Sequence, residues 1–556
     1  MPLGTEGFVS TVVTQLTLLV PLGSRVHRAA MASALGASAL GLVTYLLVRD
    51  LLSRNADTPR LARALALAAA LVTALGTTGQ LEGTVAGGAT WAVALVVSTL
   101  LVDGRLLGAT KSSAHLWFWG IALGVLLGLT VLERHLAGLL ALGALLTQRV
   151  FARHPWESKL VRGAAVALVA TLALGLLPQW IRVPPPGSSL AQGLFFNLPF
   201  AGLRSPSAHP TAPGDWMREA GMLPLSLAAV GWTFGTFRRT SRPLVLALTL
   251  FVILDFLFGA PGDPASFSAA PLLRLAALAC FSVLSVLGLQ SVVILASVRQ
   301  KTYAPALGVL MVVLEATLVM VTIDDASYRS DRHQWYGTDR WTDEASAALP
   351  TGGLLLIRHQ PLALRLWAAR LARGQRPDLV VVPTDLLDDA RTTAPLLTLE
   401  PALSGLIREL AINGQPTEYV LSSLADARRL FLEFDPSWDH RLRDHALPRP
   451  MWTELRAQSL GRSDRRLATD VQRHGIERLI ADINARLPRD QATLNVIELR
   501  LREQLCLLAY LGDRGSLPSI LDDYRSLDRD DPWLKLFDKR LEAKPRGSID
   551  VSGLFE

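Results

Sequence analysis

Hydrophobic residues fill the first part of the chain in long runs separated by polar loops, and this pattern stops near residue 323. A membrane-spanning helix needs about 20 mostly apolar residues. Ten runs approach that length, centred on residues 31–48, 62–79, 85–102, 116–132, 136–148, 162–180, 222–237, 243–259, 271–296 and 303–323. The fifth run is short, so it is tilted, longer at its ends, or paired with its neighbour. The pattern predicts an α-helical polytopic membrane domain of about ten spans over residues 31–323.

Arginine and lysine residues concentrate in alternate loops, such as 49–63, 149–162 and 238–242. Short loops rich in these residues stay in the cytoplasm. The loops between them, including 133–135, are therefore predicted to lie outside, together with everything after the last span. The net charge of +7 belongs largely to these loops. It indicates the lipid bilayer as a partner and argues against nucleic acid.

The first 30 residues form a separate N-terminal segment in this scheme. Residues 8–23 are apolar, but a span there would place Arg25 and Arg28 on the wrong side. An interfacial helix on the outer surface suits their length better. No cleavable signal precedes the first predicted span. The N-terminus is therefore expected to be incomplete.

The rest of the chain has the composition of a water-soluble protein. We expect an extracytoplasmic α/β domain over residues 324–470 and a helical C-terminal region over 471–556. The sequence "GLLLIR", a helical pattern and "PDLVVVPTDLL" predict a parallel β–α–β unit. The sequence "EYVLSSL" (418–424) is a candidate for a further strand. No glycine-rich loop follows the first strand, so nucleotide binding is unsupported.

Aromatic residues and cysteines add little chemistry. Trp335, Tyr336 and Trp341 suit a belt at the membrane surface. Cys280 and Cys506 are too few for a disulfide framework and read as packing residues. Histidines do not cluster at metal-binding spacing. Three of those in the soluble part, His333, His359 and His440, are expected at the surface.

Ionisable residues in the predicted outer loops are the candidates for a site. Glu82 lies at the mouth of two helices, and Arg134 and His135 follow Glu133 in a break between two apolar runs. The alternative is that these residues are polar only because loops touch water.

Three further ionisable residues fall inside predicted spans, where a charge is costly and is usually paired or functional. They are Asp255, Arg274 and Glu315. We expect Arg274 and Glu315, on consecutive spans, to form a structural ion pair. A role in substrate binding is the alternative.

Residues 16–52 resemble a stretch of bacterial multi-spanning proteins related to the eukaryotic transmembrane protein O-mannosyltransferase, of the GT-C class. Glu82 matches a glutamate of that family, and His135 matches the histidine of its "asn-his-leu" motif. Residues 349–387 also look like a family segment. There Trp367, Arg376, Pro377 and Asp378 occupy matching places.

The resemblance implies a membrane glycosyltransferase. Such enzymes move a sugar from a polyprenyl-phosphate carrier to a protein or glycan acceptor at the outer face of a bacterial inner membrane. It implies Glu82 as catalytic base or metal ligand, which makes a divalent metal ion the candidate cofactor. Arg134 and His135 become candidate phosphate contacts, since an arginine fork suits a phosphate.

Several family carboxylates are absent. The acidic pair and histidine of the first outer loop have no match, although Glu6 is present, and an "asn-trp-gly-asp" motif is missing. Residues 358–361 replace an acidic cluster. The chain is therefore either an active, divergent enzyme or a catalytically degenerate protein whose external domain binds a partner or an envelope polymer. A transporter would require inverted repeats and broken helices, and the sequence indicates neither.

Overall fold

The computed structural model has two compact units, Met1–Asp331 and Arg332–Glu556. We call them the membrane unit and the soluble unit. The structure describes residues 7–21, 25–53, 59–84, 88–108, 113–153, 157–180, 213–259, 270–299, 304–330, 336–387, 390–435, 438, 440–449, 451–461, 480–481, 491–544, 546–551 and 553–554.

The described part of the membrane unit is helical. Its helices are α1 Phe8–Leu18, α2 Arg25–Ser53, α3 Pro59–Leu75, α4 Thr77–Thr84, α5 Thr90–Gly108, α6 Ser113–Glu133, α7 His135–Ala152, α8 Ser158–Trp180, α9 Pro213–Ala220, α10 Met222–Phe237, α11 Arg242–Phe258, α12 Ala270–Arg299 and α13 Ala304–Ser330. Each of the ten predicted spans overlaps one of them. The fifth, α7, is longer at its ends than its apolar run suggested.

Seven of the described helices are long and apolar enough to cross a membrane, which supports a multi-pass membrane protein. Two bent pairs raise this count to as many as nine: α3 with α4, at 53°, and α9 with α10, at 108°. Neither bend was indicated by the hydropathy of the sequence. Gly221 makes the sharper bend possible, because its φ of 83° is unfavourable for residues with a side chain.

Small residues set a close contact between α6 and α8. Gly120, Gly124 and Gly128 repeat every fourth residue on one face of α6, against α8. A Cβ added at Gly120 would lie 2.7 Å from the carbonyl oxygen of Leu160, and one at Gly124 would collide with that of Ala164. Glycine is therefore needed there for the backbones to approach, as in many membrane helix pairs.

The "ERH" break is a helix junction that also anchors α1. Glu133 ends α6 and His135 begins α7, with Arg134 extended between them. The carbonyl oxygen of Glu133 accepts from Gly7 N at 2.6 Å, and its Oε2 accepts from Ser10 N at 3.0 Å. Its buried side chain thus caps the N-terminus of α1, where backbone amides have no partner within the helix.

The soluble unit is built around a five-stranded sheet in the order β2-β1-β3-β5-β4. Its strands are β1 Leu354–Ile357, β2 Val380–Pro383, β3 Leu430–Leu432, β4 Ala446–Pro448 and β5 Thr453–Leu455. Its helices are α14 Tyr336–Ala347, α15 Gln360–Arg373, α16 Ala390–Leu399, α17 Leu403–Asn413, α18 Glu418–Ala427, α19 Gln491–Leu511, α20 Leu517–Leu527 and α21 Pro532–Ala543. β1 pairs in parallel with β2 and with β3. The chain therefore contains the β–α–β unit expected from its sequence, with α15 as the crossover.

Two expectations for this unit differ from the structure. Residues 418–424 lie in α18, not in a strand, and their buried Leu421 and Leu424 have helical spacing. Trp341 is buried in the core at 1% exposure, 5.9 Å from the ring of Trp452, and does not belong to a surface belt. Trp335 lies outside the described residues, and of Tyr336 only the backbone is described.

The predicted domain boundaries also shift. Residues 324–330 are the end of α13, so the membrane unit extends past residue 323. Leu501 and Leu505 of α19 share a core with Leu355 and Leu366 of the α/β part. The helical C-terminal region is therefore packed into the same unit as the sheet.

The matched "RPD" segment closes the turn before β1. Arg376 donates from Nη1 to the carbonyl oxygen of Leu349 at 2.8 Å and from Nη2 to that of Pro350 at 2.8 Å. Asp378 accepts from Arg376 and from Gly352 N, which lowers the pKa of its carboxyl well below the usual range. These contacts give the motif a structural role.

Candidate functional site

A buried group of charges joins four helices of the membrane unit. Arg274, near the start of α12, donates from Nε to Asp255 Oδ2 at 3.1 Å and from Nη1 to Glu219 Oε2 at 3.1 Å. Asp255 is fully buried, and the other two side chains are each 13% exposed. One guanidinium therefore faces two carboxylates in a largely dry environment. We call this group, with Trp216 and Thr78, the Arg274 cluster.

The bend at Gly221 brings Trp216 and Glu219 of α9 to this place. Trp216 donates from Nε1 to Asp255 Oδ2 at 2.6 Å, and its ring lies 5.4 Å from that of Phe281 on α12. Asp255 therefore accepts from at least these two donors. Since an unpaired buried carboxylate is costly, both donors stabilise its charge.

The Arg274 cluster reaches α4 through a side-chain hydrogen bond. Thr78 donates from its Oγ1 to Glu219 Oε1. Thr78 and Glu82 are four residues apart in α4, so they lie on the same helix face, about one turn apart. The buried charges are thus connected to the short helix that carries the predicted catalytic residue.

Glu82 itself lies at the junction between α4 and α5. Its half-buried side chain accepts through Oε2 from Ala89 N at 2.8 Å, just before α5 begins. This bond caps a helix N-terminus, where a carboxylate is favoured. Glu82, which the sequence predicts as a candidate base, therefore also has a structural role as a cap for α5.

Arg134 and His135 are half-buried at the junction between α6 and α7. They therefore belong to a different helix junction from Glu82. His135 is the first residue of α7, with Arg134 at the N-cap position. Both are polar side chains at a helix N-terminus, which is a location that suits a phosphate.

The predicted pair of Arg274 with Glu315 is wrong. Arg274 pairs with Asp255 and Glu219, whereas Glu315 is buried on α13 and its Oε2 has no hydrogen-bond partner among the described residues. The sequence singled out Arg274 and Asp255 as costly charges but missed Glu219. The segment "GDWMREA" (214–220) could have indicated Glu219, because it combines a tryptophan with charged residues beside an apolar run. Trp216 and Glu219 of this segment both contact the cluster.

A second charged group lies at the carboxyl edge of the sheet in the soluble unit. Glu433 follows β3 and accepts through Oε2 from the backbone amides of Arg358 and His359, both at 2.7 Å. Its Oε1 accepts from Arg500 at 2.6 Å, and Arg500 also donates to Glu503 at 2.6 Å. We call these residues the Arg500 cluster. His359 takes part in it through Nδ1, 3.1 Å from Glu433, and so is not an isolated surface histidine.

The two acids of the Arg500 cluster differ in pKa. Burial tends to raise the pKa of Glu433, but Arg500 and His359 outweigh it and hold the pKa below its usual value. Burial raises the pKa of Glu503 to about 8, and the nearby Glu433 adds to this rise. Glu503 therefore holds a proton at neutral pH more often than an ordinary glutamate.

Ligand atoms of His359, Glu433 and Glu503 lie within 4.8 Å of one another, which is close enough for a metal ion. The guanidinium of Arg500 already occupies the cationic position between the two carboxylates, at 2.6 Å from each. A divalent ion there would meet a like charge that is itself 3% exposed. The group therefore does not suit a metal ion.

No protein family matches this chain by sequence, and no curated protein does. Solved structures do align with it. ArnT from Cupriavidus metallidurans bound to undecaprenyl phosphate is 15% identical, with 81% of this chain and 87% of that chain covered and a TM-score of 0.44. The apo state of the same protein is 14% identical, with 71% and 84% covered and a TM-score of 0.42.

The archaeal oligosaccharyltransferase AglB from Archaeoglobus fulgidus, in complex with an inhibitory peptide and a dolichol-phosphate, is 13% identical to this chain, with a TM-score of 0.40. That alignment covers 68% of this chain, which spans 56% of the other chain. These likenesses are at low identity and at TM-scores below 0.5.

Proposed function

We propose that this chain is an integral membrane glycosyltransferase-like protein of the GT-C class. It transfers a sugar from a polyprenyl-phosphate carrier to a protein or glycan acceptor at the membrane face where α4 and α9 meet. One observation carries the proposal: the Arg274 cluster links α9, α11 and α12 to α4, which bears Glu82. Buried charges that hold the helix of a candidate base in place are costly, and they are typical of functional sites in membranes.

The Arg274 cluster is a positioning device in this proposal. Its two carboxylates and one guanidinium leave no excess positive charge for a phosphate, and its members bond one another at 3.1 Å. Its bond from Thr78 to Glu219 fixes the bent end of the α3–α4 pair. Glu82 is then presented at the surface with one oxygen bound to Ala89 N.

Glu82 is proposed as the acidic residue of the reaction. As the acceptor oxygen bonds to the sugar, the bond between the sugar and the carrier phosphate breaks and the hydroxyl loses its proton, which the carboxylate of Glu82 would take. If a divalent ion were bound, Glu82 would be a ligand and the ion would supply activation of the hydroxyl. Arg134 and His135 are proposed to contact the phosphate of the carrier. Their place at the start of α7 favours an anion, because helix N-termini carry partial positive charge.

We propose that this face lies outside the cytoplasm, as does the soluble unit, because arginine-rich loops at the opposite helix ends are typical of the cytoplasmic side. A lipid-linked donor in the outer leaflet and an extracytoplasmic acceptor would then both reach Glu82. This orientation is part of the proposal.

A catalytically inactive binding protein is the second candidate. It is favoured by the fact that both acids at helix junctions, Glu82 and Glu133, accept from backbone amides. In that case the external soluble unit binds a partner or envelope polymer, and the membrane unit is an anchor.

The test is a transfer assay on the full chain in proteoliposomes, with undecaprenyl-phosphate mannose carrying a tritium label. Envelope extract from cells lacking the protein supplies acceptors. We expect label to move from the lipid fraction into protein or glycan only when the chain is present. Binding of the labelled lipid without transfer of its sugar would support the inactive alternative. If the chain neither binds the lipid nor transfers its sugar, the proposal of a polyprenyl-phosphate carrier is contradicted as well.

A further inference from the structure

A cavity of about 520 Å³ lies in the membrane unit at the end opposite to Glu82. Helix α5 begins beside Glu82 and ends at this cavity, roughly 28 Å away by its length. The cavity lies among the last turns of α2, α5 and α7 and the start of α11. It is therefore a separate feature from the proposed transfer site.

The wall of the cavity is mixed. Leucines such as Leu47, Leu101 and Leu244 supply its apolar part. Its polar part comes from five residues: Asp50, Arg105, Gln148, Arg239 and Thr240. Ligand sites typically have this make-up, with apolar walls and a few placed polar groups, in volumes of about 300–1,000 Å³.

Gln148 is the residue that points to a ligand. Its side chain is 2% exposed, and its Oε1 has no hydrogen-bond partner among the described residues. A buried amide oxygen without a donor is unfavourable, and most such groups in folded proteins are satisfied. A molecule in the cavity with a hydroxyl group would supply the missing donor.

The charges around the opening favour an anion. Arg105 donates from Nε to Asp50 at 2.6 Å, and Arg49 also pairs with Asp50 at 3.1 Å. The exposed Arg239 has no ion-pair partner in the part of the chain that the structure describes. Two guanidiniums, Arg105 and Arg239, thus line the cavity with one carboxylate, which leaves a net positive charge.

We propose that this cavity binds the head of an anionic phospholipid with a hydroxyl-bearing headgroup. The phosphate lies between Arg105 and Arg239, a headgroup hydroxyl donates to Gln148 Oε1, and an acyl chain follows the leucines. The helix ends around the cavity lie where a membrane meets water, so a lipid is available there. Basic pockets between membrane helices on the cytoplasmic side bind such heads.

The test is native mass spectrometry of the full chain with phosphatidylglycerol or phosphatidylcholine added in equal amounts. We expect phosphatidylglycerol to be retained in preference. Arg239→Gln is expected to lower its retention about fivefold. Arg238→Gln is the matched control, because this neighbouring arginine does not line the cavity, and we expect it to change retention little.

Two further comparisons separate the possible sources of the phosphate and test the role of Gln148. Soluble glycerol phosphate is expected not to displace the lipid, and Gln148→Leu is expected to remove the preference for phosphatidylglycerol over phosphatidic acid, which has no headgroup hydroxyl. Equal retention of the neutral lipid, equal effects of the two arginine variants, or displacement by glycerol phosphate would each overturn the proposal. Unchanged melting temperatures of the variants establish that folding is intact.

Discussion

The two units each contain one arginine held between two carboxylates, but they support these charges differently. In the membrane unit, Arg274 lies between Asp255 and Glu219, which come from two other helices. In the soluble unit, Arg500 lies between Glu433 and Glu503, and both Arg500 and Glu503 belong to α19. The first group ties helices together, and the second attaches one helix to the edge of the sheet.

The difference lies in what else satisfies the carboxylates. Glu433 accepts from two backbone amides at 2.7 Å, so part of its charge is supported by the start of α15. Asp255 relies on side chains, from Trp216 and Arg274. Polar groups of a membrane domain have few spare backbone donors, because its helices use them internally. A buried charge away from a helix start, such as that of Asp255, must recruit side chains from other helices, and this fixes those helices relative to one another.

The largest expected effect is that of Arg500→Leu. It leaves the buried carboxylate of Glu433 without its cation, which typically costs about 3–5 kcal/mol. Hydrogen exchange of β3 and α19 in the full chain measures the loss. Arg525→Leu is the control, since its pair with Asp538 at 3.2 Å is solvent-exposed and is worth about 1 kcal/mol or less. Equal effects of the two variants would contradict the importance of the buried group.

Arg274→Leu is expected to cost somewhat less, about 3 kcal/mol, because Arg274 and Glu219 retain 13% exposure. Thermal unfolding in detergent measures the loss. We expect local loosening at α4 and α9 in particular, because the cluster joins them. Arg49→Leu, which removes a pair at the surface with 38% exposure of the arginine, serves as the control. Hydrogen exchange locates this loosening. An equal increase of hydrogen exchange in all helices would contradict a local role of the cluster at α4 and α9.

Glu503 gives the Arg500 cluster a pH dependence. The pKa of Glu503 is about 8 in the folded chain, above the ordinary 4.5, so the folded state binds more protons between these values. Stability from this group is present at low pH and is lost as pH rises toward 8. Glu503→Gln is expected to flatten the fall in stability between pH 5 and 8, by about 1–3 kcal/mol. Parallel curves for variant and parent would contradict the raised pKa.

The smallest effect is expected from Trp216→Phe, which keeps the ring contact with Phe281 and removes the hydrogen bond to Asp255. A hydrogen bond to a charged group is worth about 1.5–3 kcal/mol. We expect the lower end of this range, since Arg274 still pairs with Asp255. Thermal unfolding of Trp216→Phe and Arg274→Leu side by side compares their losses of stability. A larger loss for Trp216→Phe would contradict the view that Arg274 is the main partner of Asp255.

Much of the fold follows from the sequence because periodicity and run length depend on neighbours along the chain. The long apolar runs and the stretch from Leu354 to Pro383 identified the membrane helices and the β–α–β unit. The strand expected at 418–424 was wrong because a short apolar run has no decisive period. Burial of Leu421 and Leu424 depends on the sheet that α18 covers.

The candidate sites were harder to predict, because they depend on contacts between distant residues. Arg274 was recognised as a costly charge, but Glu315 on the next span was nearer in sequence than its true partner Glu219. The bend at Gly221 that brings Glu219 close has no signal in hydropathy. The Arg500 cluster joins residues 67 positions apart, Glu433 and Arg500, and a single sequence does not show such a pairing.

Glu82 is proposed to act in sugar transfer and not only to cap α5. Glu82→Gln and Glu133→Gln test it as a matched pair, since each acid accepts from a backbone amide at a helix start and an amide oxygen preserves that bond. Transfer from undecaprenyl-phosphate mannose is measured for both variants and the parent. We predict a loss of about a hundredfold or more for Glu82→Gln and little change for Glu133→Gln. Full transfer by Glu82→Gln would contradict a role of Glu82 in sugar transfer.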